Sequence, residues 1–226
     1  MKKQILAGLS ILLVFCAGTA FGQNEKKIAY GILLDNTSLL RTQFDYVKSI
    51  GKAIVTEIGK NNSIALFNFE VADKRNIATG KIGLSWGQDK KDIDEYIDGL
   101  KIVSGRTKLS HAVFLALDVV NSKVEREKDT LSEKVLILVT DGDERVINTV
   151  QKELIKTLKE NKIKVYVIGL IEELSREDFF GGMSPKIKAK HFLKEITKET
   201  GGRVVFPKSK QAVEEIVKDL FVENIK

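Results

Sequence analysis

The chain has 226 residues, with 37 Lys and Arg against 31 Asp and Glu, a formal net charge of +6 and one cysteine. Acidic and basic residues alternate along its predicted helices, the pattern of solvated faces with local pairs, which argues against a nucleic-acid footprint. A lone cysteine excludes an internal disulfide and a multi-thiolate metal site.

In chain order, Met1-Lys2-Lys3 precedes an apolar stretch at 5–17, and Gly18-Thr19-Ala20-Phe21-Gly22 follows. A basic start, a short apolar middle and small residues at the end describe a secretory signal peptide, with Ala20 and Gly22 at the small positions before a cut between Gly22 and Gln23. The stretch falls short of the ~20 apolar residues of a transmembrane helix. An uncleaved anchor is the alternative. Cys16 raises a third reading, lipidation after cleavage, but Phe15 stands where a lipoprotein signal wants a small residue. Removing residues 1–22 leaves residues 23–226, which is 226 minus 22, or 204 residues. That is the size of one domain. The mature chain then has no cysteine, and its charge falls to +4 because Lys2 and Lys3 leave. The expected location is secreted or periplasmic.

Residues 28–34 form a continuous apolar run, the mark of a strand buried on both faces. Residues 41–58 carry Phe44, Val47, Ile50, Ile54 and Ile58 at helical spacing. After the turn Asn61-Asn62-Ser63, residues 64–71 form a second strand. Residues 76–86 alternate less cleanly and form an edge strand, paired with its predecessor as a hairpin across the short loop 72–75. Helices at 89–100 and 110–127 lead to a buried strand at 135–139, an amphipathic helix at 148–162 and another buried strand at 165–171. The segment 172–183, with Phe179-Phe180-Gly181-Gly182, shows no regular pattern. A helix at 186–200 is stopped by Gly201-Gly202, and a short strand at 204–206 and a helix at 209–224 follow.

Six strands alternating with helices predict an α/β fold, a mostly parallel sheet with helices on both faces. Ligands in such folds sit outside the carboxyl ends of the strands, near the switch in strand order. Asp35 and Asp141 each fall just past a strand at that edge. Asp35-Asn36-Thr37-Ser38, Thr140-Asp141-Gly142-Asp143 and Gly105-Arg106-Thr107 together offer carboxylates and hydroxyls able to hold a hard divalent cation. The plainer reading of the first loop is a helix cap supplied by Thr37 or Ser38.

Leu33-Leu34-Asp35-Asn36-Thr37-Ser38, Gly105-Arg106-Thr107-Lys108-Leu109 and Leu138-Val139-Thr140-Asp141-Gly142 resemble the three loops of a von Willebrand factor type A domain. Gly201-Gly202-Arg203 before the last strand is also similar to that family. The resemblance covers essentially the whole mature chain. It implies a doubly wound, Rossmann-like sheet with one antiparallel edge strand. It also implies a metal-ion-dependent adhesion site that binds Mg²⁺ or a similar ion and is often completed by a partner's carboxylate. Carried over position by position, Asp35, Thr37, Thr107 and Asp141 match the metal-site positions, and Leu39 stands where a second hydroxyl belongs. Water would have to take that position, at a loss of affinity. Ser38 and Asp143 are neighbouring oxygens, as substitute ligand and as ligand or supporting group.

The leading expectation is an exported, non-enzymatic protein-binding module. Its partner's Asp or Glu would fill an open coordination position, and the loops at 36–40, 104–108 and 142–146 would add specificity. Arg106 and Lys108 flank Thr107 and offer an acidic partner a second attraction. One alternative is a metal-independent scaffold in an envelope assembly. Another is a Mg²⁺-dependent phosphatase-like hydrolase, against which stand Thr37 in place of a second Asp and the lack of a well-placed phosphate-holding Lys. No Gly-x-Ser-x-Gly elbow or glycine-rich phosphate loop is present. Trp86 is expected to cover an edge of the sheet, and His111 and His191 to be structural rather than catalytic.

Overall fold

A computed structural model describes residues 27–59, 62–71, 77–87, 89–143, 148–174, 182–208 and 211–221, without the side chains of residues 106, 148 and 149. The expected signal segment 1–22, the hairpin loop 72–75 and Phe179-Phe180-Gly181 lie outside the described residues.

The unbroken apolar runs become strands with both faces covered. The strands are β1 (Lys27–Leu34), β2 (Ser63–Val71), β3 (Ile77–Leu84), β4 (Arg106–Thr107), β5 (Leu131–Thr140), β6 (Ile163–Gly169) and β7 (Val204–Val205). The helices are α1 (Phe44–Ile58), α2 (Lys90–Gly99), α3 (Leu109–Arg126), α4 (Asn148–Glu160), α5 (Pro185–Thr200) and α6 (Val213–Phe221). The sheet order is β4-β3-β2-β1-β5-β6-β7, and every pair is parallel except β2 with β3. This is the expected doubly wound, mostly parallel α/β fold. The two-residue β4 lies beyond the antiparallel β3 as a seventh strand. Its pairs, Ile77 with Arg106 and Ala78 with Thr107, leave no local pattern to read.

Alternation along each strand sends successive side chains to opposite layers. Leu33, Phe67, Phe69, Leu136, Leu138, Val165 and Val167 pack with α3, α4 and α5. Ile32, Leu34, Leu66, Ile137, Val139 and Ile168 pack with α1, α2 and α6. Burial on both faces explains why β1 and β5 read as continuous apolar runs.

Element ends follow local chemistry. Asp89 accepts the Asp92 N–H at 3.0 Å and caps α2. Ser184 caps α5, whose first residue is Pro185. Gly201, at φ 74°, ends α5 in the left-handed conformation expected of a helix stop. A 3-10 turn at Ser38–Gln43 precedes α1, so the helix starts later than its periodicity predicts. β5 starts earlier than its apolar stretch, because Leu131 and the polar Glu133 and Lys134 still pair with β1, across an irregularity at Ser132.

Trp86 packs partly buried against the first core layer, with the Lys123 ammonium 5.6 Å from its ring centre, as an edge cover should. His111 and His191 are exposed on α3 and α5. Among the described residues, no helix is long and apolar enough to cross a membrane.

Lys162 adopts φ 54° in the turn between α4 and β6. A non-glycine residue there carries a steric penalty of ~1–2 kcal/mol, partly offset by its lower unfolded-chain entropy. Lys162→Gly should therefore stabilise the fold by ~0.5–1 kcal/mol, measurable as a higher midpoint in urea denaturation.

Candidate metal centre at the carboxyl edge of the sheet

β1 lies between β2 and β5, and the chain leaves β1 and β5 towards opposite layers. That divergence opens the crevice in which open α/β sheets place ligands. Asp35 is the first residue past β1, and its N–H still donates to the Val139 carbonyl at 2.9 Å. Sheet pairing thus continues into the loop and carries the carboxylate to a site with 0% exposure.

The Asp35 carboxylate is gripped on both oxygens. The Thr37 N–H and hydroxyl donate to Oδ1 at 3.0 and 2.7 Å. The Thr140 hydroxyl donates to Oδ2 at 2.7 Å. The Thr140 oxygen in turn accepts the Gly142 N–H at 3.0 Å, and Asp141 Oδ1 accepts the Asp143 N–H at 2.8 Å. Gly142 sits at φ 75°, and an added Cβ would lie 2.8 Å from the Leu193 side chain. Both conditions require glycine in the turn after Asp141.

The first and third predicted loops are therefore one hydrogen-bonded unit. Thr107 is buried on β4, and its segment is tied to the first loop by a parallel bridge between Thr37 and Val103. Leu39 is 40% exposed and has no oxygen to offer. Ser38 is half-buried in the 3-10 turn. Thr37 stands at the cap position of that turn but makes no capping bond; its hydroxyl turns back to Asp35. The plain helix-cap reading of Thr37 is corrected by that contact.

Two residues of the quoted loops have roles that the sequence did not assign them. Thr140 closes the second oxygen of Asp35, and Asn36 joins the first loop to its neighbours. Thr140 had a faint signal, a hydroxyl at the last position of an apolar strand directly before Asp141.

Burial is the main force on Asp35 and raises its carboxyl above the usual range. The hydrogen bonds from Thr140 and Thr37 oppose that rise, and the charge of Asp143 adds to it. No Lys, Arg or His is among the groups acting on it. A hydroxyl that gives its proton to a carboxylate keeps its lone pairs for a cation. Thr37 is such a hydroxyl. Thr107, Asp141 and Asp35 likewise carry oxygen donors, the type that hard ions such as Mg²⁺ and Mn²⁺ take alongside several waters. Among the described residues, no group of three or more His, Cys, Asp or Glu gathers.

A sequence profile of the von Willebrand factor type A domain matches residues 31–220. The chain belongs to the von Willebrand factor type A family. This family is one of protein-interaction modules. No match is found among curated protein sequences. Solved type A structures superpose on the fold. A von Willebrand factor type A protein from Catenulispora acidiphila matches at TM-score 0.65 and 14% identity over 86% of this chain, which spans 42% of the length of that protein. BatB, a conserved hypothetical protein from Bacteroides thetaiotaomicron, matches at TM-score 0.59 and 18% identity, covering 85% of this chain and 96% of its own. Manganese-loaded TRAP protein from Plasmodium vivax matches at TM-score 0.53 and 15% identity, covering 76% of this chain and 62% of its own. At these identities the likeness is one of fold. The type A fold brings Asp35, Thr37 and the Asp141 loop to one edge of the sheet.

Proposed function

We propose that this chain is an exported, non-enzymatic protein-binding module, secreted or periplasmic, that engages its partner with the help of a divalent cation. The observation that carries the reading is Asp35, wholly buried at the switch point and held on both oxygens by neutral hydroxyls. A buried carboxylate is costly without a counter-charge. Thr37, Thr107 and Asp141 would hold the ion, with Asp35 contributing directly or through water. A bound ion would supply positive charge and an open coordination position for a partner's Asp or Glu. The chain's own part is to fix the donor oxygens and to present Lys108 nearby as a second attraction for acidic groups. The manganese carried by the TRAP protein supports cation use in this family.

A phosphatase-like reaction would need Asp35 to present an oxygen to substrate. Its complete burial, with the Thr37 N–H and two hydroxyls already on its oxygens, favours binding over that chemistry.

Titration calorimetry with Mg²⁺ and Mn²⁺ tests the cation, and capture from an envelope extract with and without chelator tests the partner. Heat on titration and chelator-sensitive capture are expected. No heat with millimolar metal, together with chelator-resistant capture, would favour a metal-independent scaffold. The exposed Leu39 is the observation on that side. Leu39→Ser should restore the missing hydroxyl and tighten Mn²⁺ binding ~10-fold, the scale of one supporting polar group at a metal site. An unchanged affinity would mean that position 39 does not face the ion.

A further inference from the structure

We propose that Asn36 is a positioning residue that sets the Thr107 segment against Asp35 and Thr37. The inference rests on the metal-site reading and adds to it a residue that touches no ligand.

Between α2 and β4 the chain crosses the top of the sheet through residues 100–105, with a single bridge at Val103 as its only β pairing among the described residues. Asn36 holds that stretch in place. Its backbone carbonyl accepts the Val103 N–H at 2.9 Å. Its side-chain Nδ2 donates to the Lys101 carbonyl at 2.7 Å and to the Phe69 carbonyl at 3.1 Å. Its Oδ1 accepts the Phe69 N–H at 2.7 Å. Only 1% of Asn36 is exposed.

Every hydrogen-bonding group of the amide is therefore engaged with backbone. A primary amide offers one acceptor oxygen and two N–H donors. Oxygen and one N–H pair with Phe69 at the end of β2, as a strand would, and Nδ2 also reaches Lys101. Aspartate has the shape but no donors, and leucine has neither donors nor acceptor. Glutamine has the groups on a stem one methylene too long.

Asn36 lies between Asp35 and Thr37 in the chain, and those two are locked together by hydrogen bonds. Thr107 follows Val103 by four residues, and Lys108 N–H donates to the Ala78 carbonyl at 3.1 Å. The β3–β4 pairing holds one side of Thr107, and the Asn36 amide ties the segment that leads to it to the Asp35 loop. Releasing the amide frees the segment at Lys101 while leaving all four expected ligand positions chemically intact.

The test compares wild type, Asn36→Ala, Asn36→Ser and Asn121→Ala. Serine keeps a short polar group too small to span both carbonyls. Asn121 accepts from Lys134 at 2.9 Å and donates to Asn161 at 2.8 Å near the opposite edge of the sheet, so its loss controls for general weakening. Amide hydrogen exchange is read in chelator, and Mn²⁺ affinity by calorimetry well below each unfolding midpoint. Both Asn36 variants should speed exchange at Val103 and Phe69 and weaken Mn²⁺ binding ~10-fold or more, the scale seen when a group supporting a metal ligand is removed. Asn121→Ala should lower the unfolding midpoint and move neither readout. Mn²⁺ affinity within twofold of wild type in either folded Asn36 variant would overturn this inference alone. A wild-type chain that binds no Mn²⁺ would overturn the metal reading and this inference with it.

Discussion

Asp35→Asn is expected to abolish Mg²⁺ and Mn²⁺ binding and, in chelator at neutral pH, to make the protein harder to unfold. The two effects share one cause. Asp35 is a fully buried carboxylate held by Thr37 and Thr140 hydroxyls and the Thr37 amide, with Asp143 as a like charge. Burial raises its carboxyl above the ordinary value. The metal-free folded chain therefore holds that proton more tightly than the unfolded chain does. Ionising Asp35 costs stability above its folded pKa, and the cost fades as pH falls through that value towards the unfolded carboxylate range near ~3.9. The asparagine amide has nearly the same shape and carries no charge. Its oxygen can accept from Thr37, and the Thr140 hydroxyl can turn to accept from its nitrogen.

In chelator, the variant should melt above wild type at pH 7, and the gap should close on acidification. Each 1 kcal/mol corresponds to ~2–4 °C in a domain of this size. Added Mn²⁺ should reverse the order. A ligand at 100 times its dissociation constant stabilises by ~2.7 kcal/mol, and only wild type would gain this. Melting curves from pH 5 to 8, with chelator and with Mn²⁺, check all of this. Wild type and variant shifting equally with Mn²⁺ would place any cation elsewhere.

Gly202→Ala should be the most damaging small substitution away from the metal centre. An added Cβ would lie 1.9 Å from the Val165 carbonyl oxygen and 2.6 Å from its carbon. Both are backbone atoms of β6, so no side-chain rotation relieves the overlap. Gly202 N–H also donates to the Thr197 carbonyl at 2.9 Å, and the next residue, Arg203, accepts the Val167 N–H at 2.8 Å. The turn that closes α5 thus lies directly on β6 and starts β7. Relief requires moving α5 or peeling off β7, at a cost of about 3 kcal/mol or more, the upper range of overpacking. Urea denaturation should show a lower midpoint. The collision sits by the C-terminal end of α5, far along that helix from the Asp141 loop, so the folded variant should bind Mn²⁺ as wild type does. A loss of Mn²⁺ binding beyond the unfolded fraction would show that the helix carries the strain to the site.

The family resemblance was legible because its marks are local. Asp35 and Asp141 end unbroken apolar runs, and a run buried on both faces announces itself by composition. Gly201 halts α5 through a left-handed turn that a few neighbouring residues define. β4 was not legible, because two residues carry no period and pair only where Ile77 and Ala78 meet them. The start of α1 was misjudged because a 3-10 turn continues the helical spacing of its apolar side chains.

Local pattern in the chain was enough for a mostly parallel sheet with helices on both faces and for the two carboxylates at its carboxyl edge, since each depends on residues adjacent along the backbone; the break at Leu39 came from the family resemblance. The partners of those groups were decided only on folding. Thr140 meets Asp35 from 105 positions away, while Asn36 meets Phe69 across 33 and Lys101 across 65. Such contacts follow from strand register and helix packing, which are set by how whole apolar faces fit together.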